Sequence, residues 1–216
     1  MLFNIKKEKE MKKKIVGIFV CILLITTILP ITVMAGDEQN PEVKDRTRDV
    51  KLFGLITLFP QSLFSYVDMV SAWVYEEADH PENLYMSLKI MDLKDTTQKY
   101  DAIYSISWMR KSIPYTAGVH IFPSGPSDFC AGPWDEQGND YLDFVFCDGT
   151  IDSSTDIITW IIPKTAIGNP TKGSNITDIV PVTSLRYPDY SIIPMWDLFK
   201  DLPWNALVMK DYQIQY

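Results

Sequence analysis

A two-residue alternation of apolar and polar side chains constrains this chain more than any other feature. Within residues 84–90 every second residue is apolar, while Tyr, Ser and Lys stand between them, and residues 101–110 repeat the pattern. Residues 113–122 follow after a break short enough for a hairpin. A period of two gives a strand one buried and one exposed face. After residue 35 no 3.6-residue stripe reaches helical length. The predicted fold is therefore all-β, an antiparallel β-sandwich of immunoglobulin-like or jelly-roll type.

Local signals place further elements in this fold. Residues 157–162 are apolar on both faces apart from one Thr, which is typical of a central strand. Pro181 predicts a sheet edge or a bulge. Residues 164–167 predict a single helical turn that Gly168 closes, and residues 195–200 predict a short helix.

The N-terminal residues predict export. Six lysines precede an apolar run over residues 15–29, and Val33 and Ala35 occupy the −3 and −1 positions of a cleavage site. The alternative is an uncleaved anchor, because residues 15–35 number 21 and about 20 suffice to span a bilayer. The predicted organisation is a signal peptide or signal anchor (1–35), a polar linker (36–49) and one β-sandwich domain (50–216). The expected location is extracellular or at the cell surface, with membrane contact only through the N-terminal segment.

The charge distribution excludes one class of partner. The whole chain has a formal charge of −8, but the part after residue 35 carries 14 basic and 26 acidic residues, a net −12. Nucleic acid is bound by clustered Lys and Arg that displace counterions. We therefore expect no nucleic-acid partner.

In an exported chain, two cysteines and one asparagine are candidates for covalent modification. Removal of the signal peptide leaves Cys130 and Cys147, which predicts a disulfide in an oxidising compartment. Such a bridge would stabilise the fold by roughly 3 kcal/mol. The alternative is two buried thiols. Asn175 begins an Asn-Ile-Thr triplet and is a candidate glycosylation site.

Residues 162–173, with the sequence IPKTAIGNPTKG, carry a family resemblance. A strand ending in Pro163, one helical turn, Gly-Asn-Pro and a Lys-Gly turn resemble exported archaeal and bacterial domains related to family-nine carbohydrate-binding modules and DOMON-like sandwiches. Residues 60–64, 73–77 and 211–216 add to this likeness, which covers about residues 50–216. It implies a β-sandwich; domains of this kind bind sugars, haem or proteins, or build surface layers. No ligand-binding residue of the family can be assigned here.

Catalytic motifs are missing from the sequence: it contains no Gly-x-Ser-x-Gly elbow, no His-Glu-x-x-His, no phosphate loop and no Cys-x-x-Cys. Acidic pairs at 135/136 and 140/143 fit a glycosidase only if they flank a cleft, and solvated loop acids are the alternative. A loop over residues 148–156 offers oxygen ligands at short spacing, so Asp148, Asp152 and Asp156 are candidate ligands for a structural calcium ion. No other cofactor is expected.

Aromatic residues are the main sign of a ligand. The part after residue 35 holds 6 Trp, 11 Tyr and 8 Phe, and alternation assigns some of them, Phe144 and Phe146 included, to the core. The others can stack on the apolar face of a sugar. The candidate binding residues are Trp134, Tyr115, Trp73, Tyr75, Tyr85 and, as a ligand or base, His120.

These observations predict a secreted or cell-surface, non-catalytic β-sandwich module that binds a carbohydrate or surface polymer. The alternative is a structural or adhesive surface protein whose partner is a protein. An extracellular glycoside hydrolase is the third hypothesis.

Overall fold

A computed structural model describes residues 36–52, 55–56, 65–93, 101–122, 125–126, 128–134, 144–186, 199–201 and 208–216. The predicted signal or anchor segment, 1–35, lies outside these residues. The β-rich unit runs from Ala35 to Tyr216. Within the described residues, no helix is long and apolar enough to cross a membrane.

The described chain forms strands joined in antiparallel pairs, which confirms the all-β antiparallel fold. In chain order the strands are β1 (Val43–Lys44), β2 (Lys51–Leu52), β3 (Leu55–Ile56), β4 (Met69–Tyr75), β5 (Asn83–Ile90), β6 (Asp101–Arg110), β7 (Ile113–Phe122), β8 (Gly125–Pro126), β9 (Phe129–Pro133), β10 (Val145–Asp152), β11 (Ile157–Pro163), β12 (Asn175–Arg186), β13 (Phe199–Asp201), β14 (Val208–Met209) and β15 (Tyr212–Gln213).

Hydrogen bonds connect these strands into one curled sheet. Its order is β14-β1-β4-β5-β11-β10-β9-β7-β6-β12-β13-β2-β3, with β8 beside β7 and β15 beside β12. Strand β10 belongs to both halves, because its residues 145–147 pair with β9 and its residues 148–152 pair with β11. We call the part from β14 to β11 half-sheet A and the part from β9 to β3 half-sheet B. A strand that changes sheets in this way closes a corner of a β-sandwich.

The core lies between the two halves. Tyr104, Trp108 and Trp160 are fully buried there, as alternation predicts. The Tyr104 hydroxyl of half-sheet B donates a 2.5 Å hydrogen bond to the carbonyl of Tyr66, in the turn before β4. The Thr183 hydroxyl of β12 donates to the carbonyl of the neighbouring Val67. These buried bonds hold the inner face of half-sheet B against the start of half-sheet A.

The strongest sequence signals agree with the structure. Strands β5, β6 and β7 cover the alternating segments, and β6 and β7 form the expected hairpin, with Arg110 opposite Ile113. Lys111 and Ser112 make its turn with φ of 48° and 62°. Positive φ at both positions is the geometry of a two-residue type I′ turn, which matches the twist of the strands.

The predicted helical turn is also confirmed. Lys164–Ile167 forms a 3₁₀ helix, and Gly168 ends it with φ of 74°, a left-handed conformation that glycine adopts without strain. The Arg110 guanidinium donates a 2.7 Å hydrogen bond to the Ile167 carbonyl. A Cβ at Gly168 would lie 2.7 Å from Arg110 Nη1, so the close approach of this cation also requires glycine.

Part of the predicted linker 36–49 belongs to the sheet. Val43 and Lys44 form β1, which pairs with both β4 and β14. The Gly36 amide donates a 2.9 Å hydrogen bond to the Val74 carbonyl, and Glu42 is buried. The β-rich domain therefore begins before residue 50. A polar segment can enter a sheet when its backbone groups are paired, because pairing satisfies the ladder whatever the side chains are.

One further expectation is wrong where it can be compared with the structure, and another is confirmed. The short helix predicted over 195–200 is wrong at Phe199 and Lys200, which lie in β13; the rest of that segment lies outside the described residues. Strand β11 is central, as predicted, between β5 and β10. A register irregularity in β12 lies between Thr177 and Val180, shortly before Pro181, where a bulge or edge was expected.

Candidate ligand-binding groove

A groove of about 470 Å³ opens where half-sheet A meets half-sheet B. This volume lies within the roughly 300–1,000 Å³ usual for small-molecule sites. The lining residues come from the start of β5, the approach to β9, the middle of β10 and the end of β11. They are Asn83, Asp128, Phe146, Cys147, Asp148, Ile161 and Pro163.

Strand register explains why these residues meet. Ile161 of β11 lies opposite Tyr85 of β5 on one side and opposite Asp148 of β10 on the other. Tyr85 in turn lies opposite Tyr75 of β4. Residues directly opposite each other on adjacent strands point to the same face. A single cross-strand row therefore runs from Tyr75 through Tyr85 and Ile161 to Asp148 at the groove.

The two tyrosines of this row form a stacked pair. Their ring centroids are 4.9 Å apart and the ring planes differ by 19°. Burial, followed by interaction with Glu77, raises the pKa of the Tyr85 phenol, and burial also raises the pKa of Tyr75. Both phenols are therefore neutral at physiological pH, where each can donate a hydrogen bond.

Phe146 is the aromatic residue most open to a ligand in the groove, since 76% of it is exposed. The sequence assignment of Phe146 to the core is wrong. Cys147 and Ile151 of β10 pack against the core instead, which turns Phe146 and Asp148 to the outer face.

Gly149 explains this orientation of β10. A Cβ on Gly149 would lie 2.3 Å from the Phe129 ring, so that ring occupies the space above the glycine. The same ring packs edge-on against Trp160, with centroids 6.0 Å apart. Phe129, which is partly buried, thus packs against the core, whereas Phe146 does not. A glycine within a strand signals close packing, and this signal was available in the sequence.

Two carboxylates, those of Asp128 and Asp148, line the groove. Phe129 lies opposite Cys147. Asp128 directly precedes Phe129 and Asp148 directly follows Cys147, so each aspartate is next in sequence to a residue of this pair. The Asn83 amide, opposite Pro163 on the neighbouring strands, adds a group that can donate and accept hydrogen bonds.

The predicted aromatic residues divide into three groups. Trp73, Tyr75 and Tyr85 share the outward side of the β4–β5 hairpin, but Trp73 and Tyr85 are buried. Tyr115 is buried and stacks on Trp108, with centroids 5.9 Å apart, so its assignment as an exposed binding residue is wrong. The fold buries it because odd-numbered residues of β7 face the core.

The remaining candidates of that set lie on half-sheet B. Trp134 is 47% exposed and follows β9, where its amide donates a 2.9 Å hydrogen bond to the Pro114 carbonyl. It is four residues beyond Cys130, the residue opposite Phe146, and therefore about 13 Å along the chain from the groove. His120 of β7 packs against Phe122, with ring centroids 3.8 Å apart. Neither residue lines the groove.

The predicted disulfide between Cys130 and Cys147 is wrong, because both thiols are free. Cys130 lies opposite Phe146 and Cys147 lies opposite Phe129. The two cysteines thus stand on adjacent strands but point to opposite faces of the sheet, and side chains that point apart cannot be bridged without backbone movement. Burial raises the pKa of the Cys147 thiol to about 12, so it is protonated and unreactive at neutral pH.

The three candidate calcium ligands are not brought together. The Asp152 carboxylate accepts hydrogen bonds from the Ser154 and Thr155 hydroxyls, which lower its pKa to about 2. The Asp156 carboxylate accepts from the Leu93 amide at 2.9 Å. Asp148 is four residues from Asp152 along β10, about 13 Å. Across the described residues, no group of three or more His, Cys, Asp or Glu side chains is arranged to hold a metal ion.

Asn175, the candidate glycosylation site, is exposed at the start of β12. Its side-chain oxygen is 3.5 Å from the Gln213 amide nitrogen of β15. The acidic pairs at 135/136 and 140/143 lie outside the described residues.

No protein family, curated protein or solved structure matches the chain. The resemblance to family-nine carbohydrate-binding modules and DOMON-like domains therefore stays a prediction.

Proposed function

We propose that this chain is an exported, non-catalytic binding module for a carbohydrate or surface polymer, and that the groove around Phe146 holds the ligand. The observation that carries the proposal is the position of Phe146, a 76% exposed ring on a groove that also contains an amide and two carboxylates. Export is supported by the sequence of residues 1–35 and agrees with the exposed position of Asn175.

Among the described residues, Phe146 is the most exposed large hydrophobic side chain. Burying such a side chain is worth about 1.5–3 kcal/mol, so the fold forgoes this stabilisation by turning Phe146 outward. A sugar can recover part of it, because the apolar face of a pyranose stacks on a flat ring. Asn83, Asp128 and Asp148 beside the ring can hydrogen-bond to hydroxyl groups of that sugar.

The residues around the groove lie largely on hydrogen-bonded strands, which favours binding. Phe146, Asp148 and Ile161 all lie within strands, and β10 is paired over its whole length, first with β9 and then with β11. A ligand that binds here therefore restricts little additional backbone freedom, and this lowers the entropic cost of association.

Binding to a panel of neutral, acidic and amino-containing oligosaccharides, measured by calorimetry, tests the proposal. We expect Phe146→Ala to lower the affinity for any ligand found by about tenfold or more, the scale of one lost aromatic contact. Val145→Ala is the matched control, because Val145 is the exposed neighbour of Phe146 and does not line the groove. Equal melting temperatures of the two variants would show that the fold is intact.

Three results would contradict the proposal. Binding to no member of the panel would remove the carbohydrate function and favour the alternative, a structural or adhesive module with a protein partner. Equal loss in the Phe146 and Val145 variants would place the ligand elsewhere. Release of shorter oligosaccharides during incubation would refute the non-catalytic assignment and support the glycoside hydrolase hypothesis.

A further inference from the structure

The residue that follows the predicted cleavage site is held inside the β-rich unit. Cleavage after Ala35 would make Gly36 the first residue of the exported chain. Gly36 is buried, and its nitrogen donates a 2.9 Å hydrogen bond to the Val74 carbonyl of β4. Terminal residues are poorly ordered unless the fold ties them down. This fold ties Gly36 to β4.

A buried carboxylate lies beside this nitrogen. Glu42 is buried, and its Oε2 accepts a 2.7 Å hydrogen bond from the Val74 amide. A Cβ at Gly36 would lie 2.5 Å from the Glu42 carboxyl carbon, so any side chain at residue 36 would overlap the carboxylate. Atoms bonded to one Cα are about 2.5 Å apart, which places the Gly36 nitrogen within about 5 Å of that carbon. Gly36 and Glu42 thus meet at the carbonyl and the amide of one residue, Val74.

Glu42 has no close cation while residue 35 is still attached. Within the part of the chain that the structure describes, no Lys, Arg or His forms an ion pair with this carboxylate. Burial raises its pKa to about 7, Lys210 lowers it less, and Asp37 adds to the rise. Tyr212 also interacts with Glu42 and is neutral, because burial raises the pKa of its phenol. A positive charge within about 4–6 Å would favour the ionised carboxylate.

We infer that removal of the signal peptide creates this positive charge: the new terminal ammonium of Gly36 pairs with the Glu42 carboxylate and locks residues 36–45 onto β4. The inference rests on the export that forms part of the proposed function. The segment already contacts β4 further along, where Val43 lies opposite Ala72 and the Asp45 amide donates to the Val70 carbonyl. The ammonium adds a charged contact at its free end.

The covalent step is hydrolysis of the peptide bond between Ala35 and Gly36 by a signal peptidase. Water supplies a hydroxyl group to the Ala35 carbonyl carbon and a proton to the Gly36 nitrogen, and the carbon–nitrogen bond breaks. Transfer of the acid proton then leaves a carboxylate on Ala35 and an ammonium on Gly36. The ammonium keeps a proton for the Val74 carbonyl and has two more to offer to Glu42.

Two forms of the domain test this pairing: one begins at Gly36, and the other keeps residues 33–35 before it. Both contain the whole hydrophobic core, whose residues lie between Val43 and Ile214. The extension moves the terminal ammonium by up to about 10 Å and leaves an uncharged amide at Gly36. The pH dependence of unfolding that follows from a raised pKa of Glu42 therefore belongs to the longer form.

Two measurements compare the forms. We expect the Glu42 carboxyl, followed by NMR, to titrate about 1–3 pH units lower in the form that begins at Gly36, because an opposite charge favours ionisation. At pH 6 the Val74 amide should exchange with solvent about tenfold more slowly in that form, because its hydrogen bond to Glu42 is then a bond to a charged group.

Three variants, each made in both forms, separate the ion pair from an effect of chain length. Glu42→Gln removes the charge and keeps the size, so Val74 should exchange at the same rate in the two forms. Gly36→Ala keeps the ammonium but places a Cβ against the carboxylate, so it should also remove the difference. Asp37→Asn is the matched control, because Asp37 is an exposed carboxylate next to Gly36, and the difference should persist in it.

The outcomes separate this inference from the rest of the proposed function. Mass spectrometry of the exported protein should give Gly36 as its first residue, and a different first residue overturns the inference. Equal titration of Glu42 in the two forms overturns the ion pair and leaves export and the groove untouched. A difference that persists in Glu42→Gln would assign the effect to chain length and overturn it as well. Failure of every glycan to bind would remove the carbohydrate function and leave the ion pair standing.

Discussion

Glu42 offers the sharpest test of how this fold tolerates buried charge. The side chain is only 5% exposed and its Oε2 accepts a 2.7 Å hydrogen bond from the Val74 amide. Burial raises the pKa of Glu42 from 4.5 to about 7, against the smaller lowering effects of the Val74 amide and the Lys210 ammonium. The substitution Glu42→Gln keeps the size of the group and an acceptor oxygen, and it removes the titration.

The expected magnitude follows from this pKa. A rise from 4.5 to about 7 corresponds to about 3 kcal/mol, since each unit is worth about 1.4 kcal/mol. A raised pKa in the folded state means that the folded protein binds the proton more tightly than the unfolded chain. The contribution of Glu42 to the free energy of unfolding is therefore complete below pH 4.5 and is lost as pH rises through 7.

Urea unfolding of both proteins at several pH values between 4 and 9 measures this effect. The free energy of unfolding of Glu42→Gln, minus that of the wild type, should increase with pH by about 3 kcal/mol across this range. A flat difference for Glu42→Gln, or one that falls as pH rises, would refute the argument that burial dominates at this carboxylate.

Three further predictions concern the hairpin, the buried ion pair and the strand that crosses between the halves. Ser112→Gly should raise the free energy of unfolding by about 0.5–1 kcal/mol, because Ser112 has a φ of 62°; a destabilised variant in urea unfolding would contradict the turn geometry. Lys164→Met should lower stability by about 3–5 kcal/mol, because it leaves the buried Glu76 carboxylate without its cation, and an unchanged unfolding midpoint would argue against that pair. Gly149→Ala should cost about 1–3 kcal/mol and alter tryptophan fluorescence, because the added Cβ displaces the Phe129 ring from Trp160; wild-type stability and spectrum would count against this packing.

Local sequence signals predicted the elements whose determinants are local. Strand β5 and the β6–β7 hairpin follow from alternation, and the helical turn at Lys164–Ile167 follows from Gly168 at its end. Strand β1 could not be predicted in this way. It has two residues in a polar segment, and its partners Ala72 and Met209 are far away in the sequence, so only the folded sheet identifies it as a strand.

To predict the candidate site, one must know which face of β10 is buried. A period of two assigns residues to two faces but does not say which face is buried. On β10 the apolar side chain of Phe146 suggested that its own face is buried. The Phe129 ring packs over Gly149 on the opposite face, and that face is buried instead. The same register also prevents a disulfide. It turns Phe146 outward and places the side chains of Cys130 and Cys147 on opposite faces of the sheet.

The crossing of β10 between the two halves therefore links the core to the groove. Its residues 148–152 complete half-sheet A, and the absence of a side chain at Gly149 leaves room for Phe129 to reach Trp160. Because strand faces alternate, filling that core position from β9 turns Phe146 and Asp148 outward together. Asp128, directly before β9, lines the same groove as Asp148. The outward positions of Phe146 and Asp148 are thus consequences of one packing arrangement, and a change at Gly149 should alter ligand binding as well as stability.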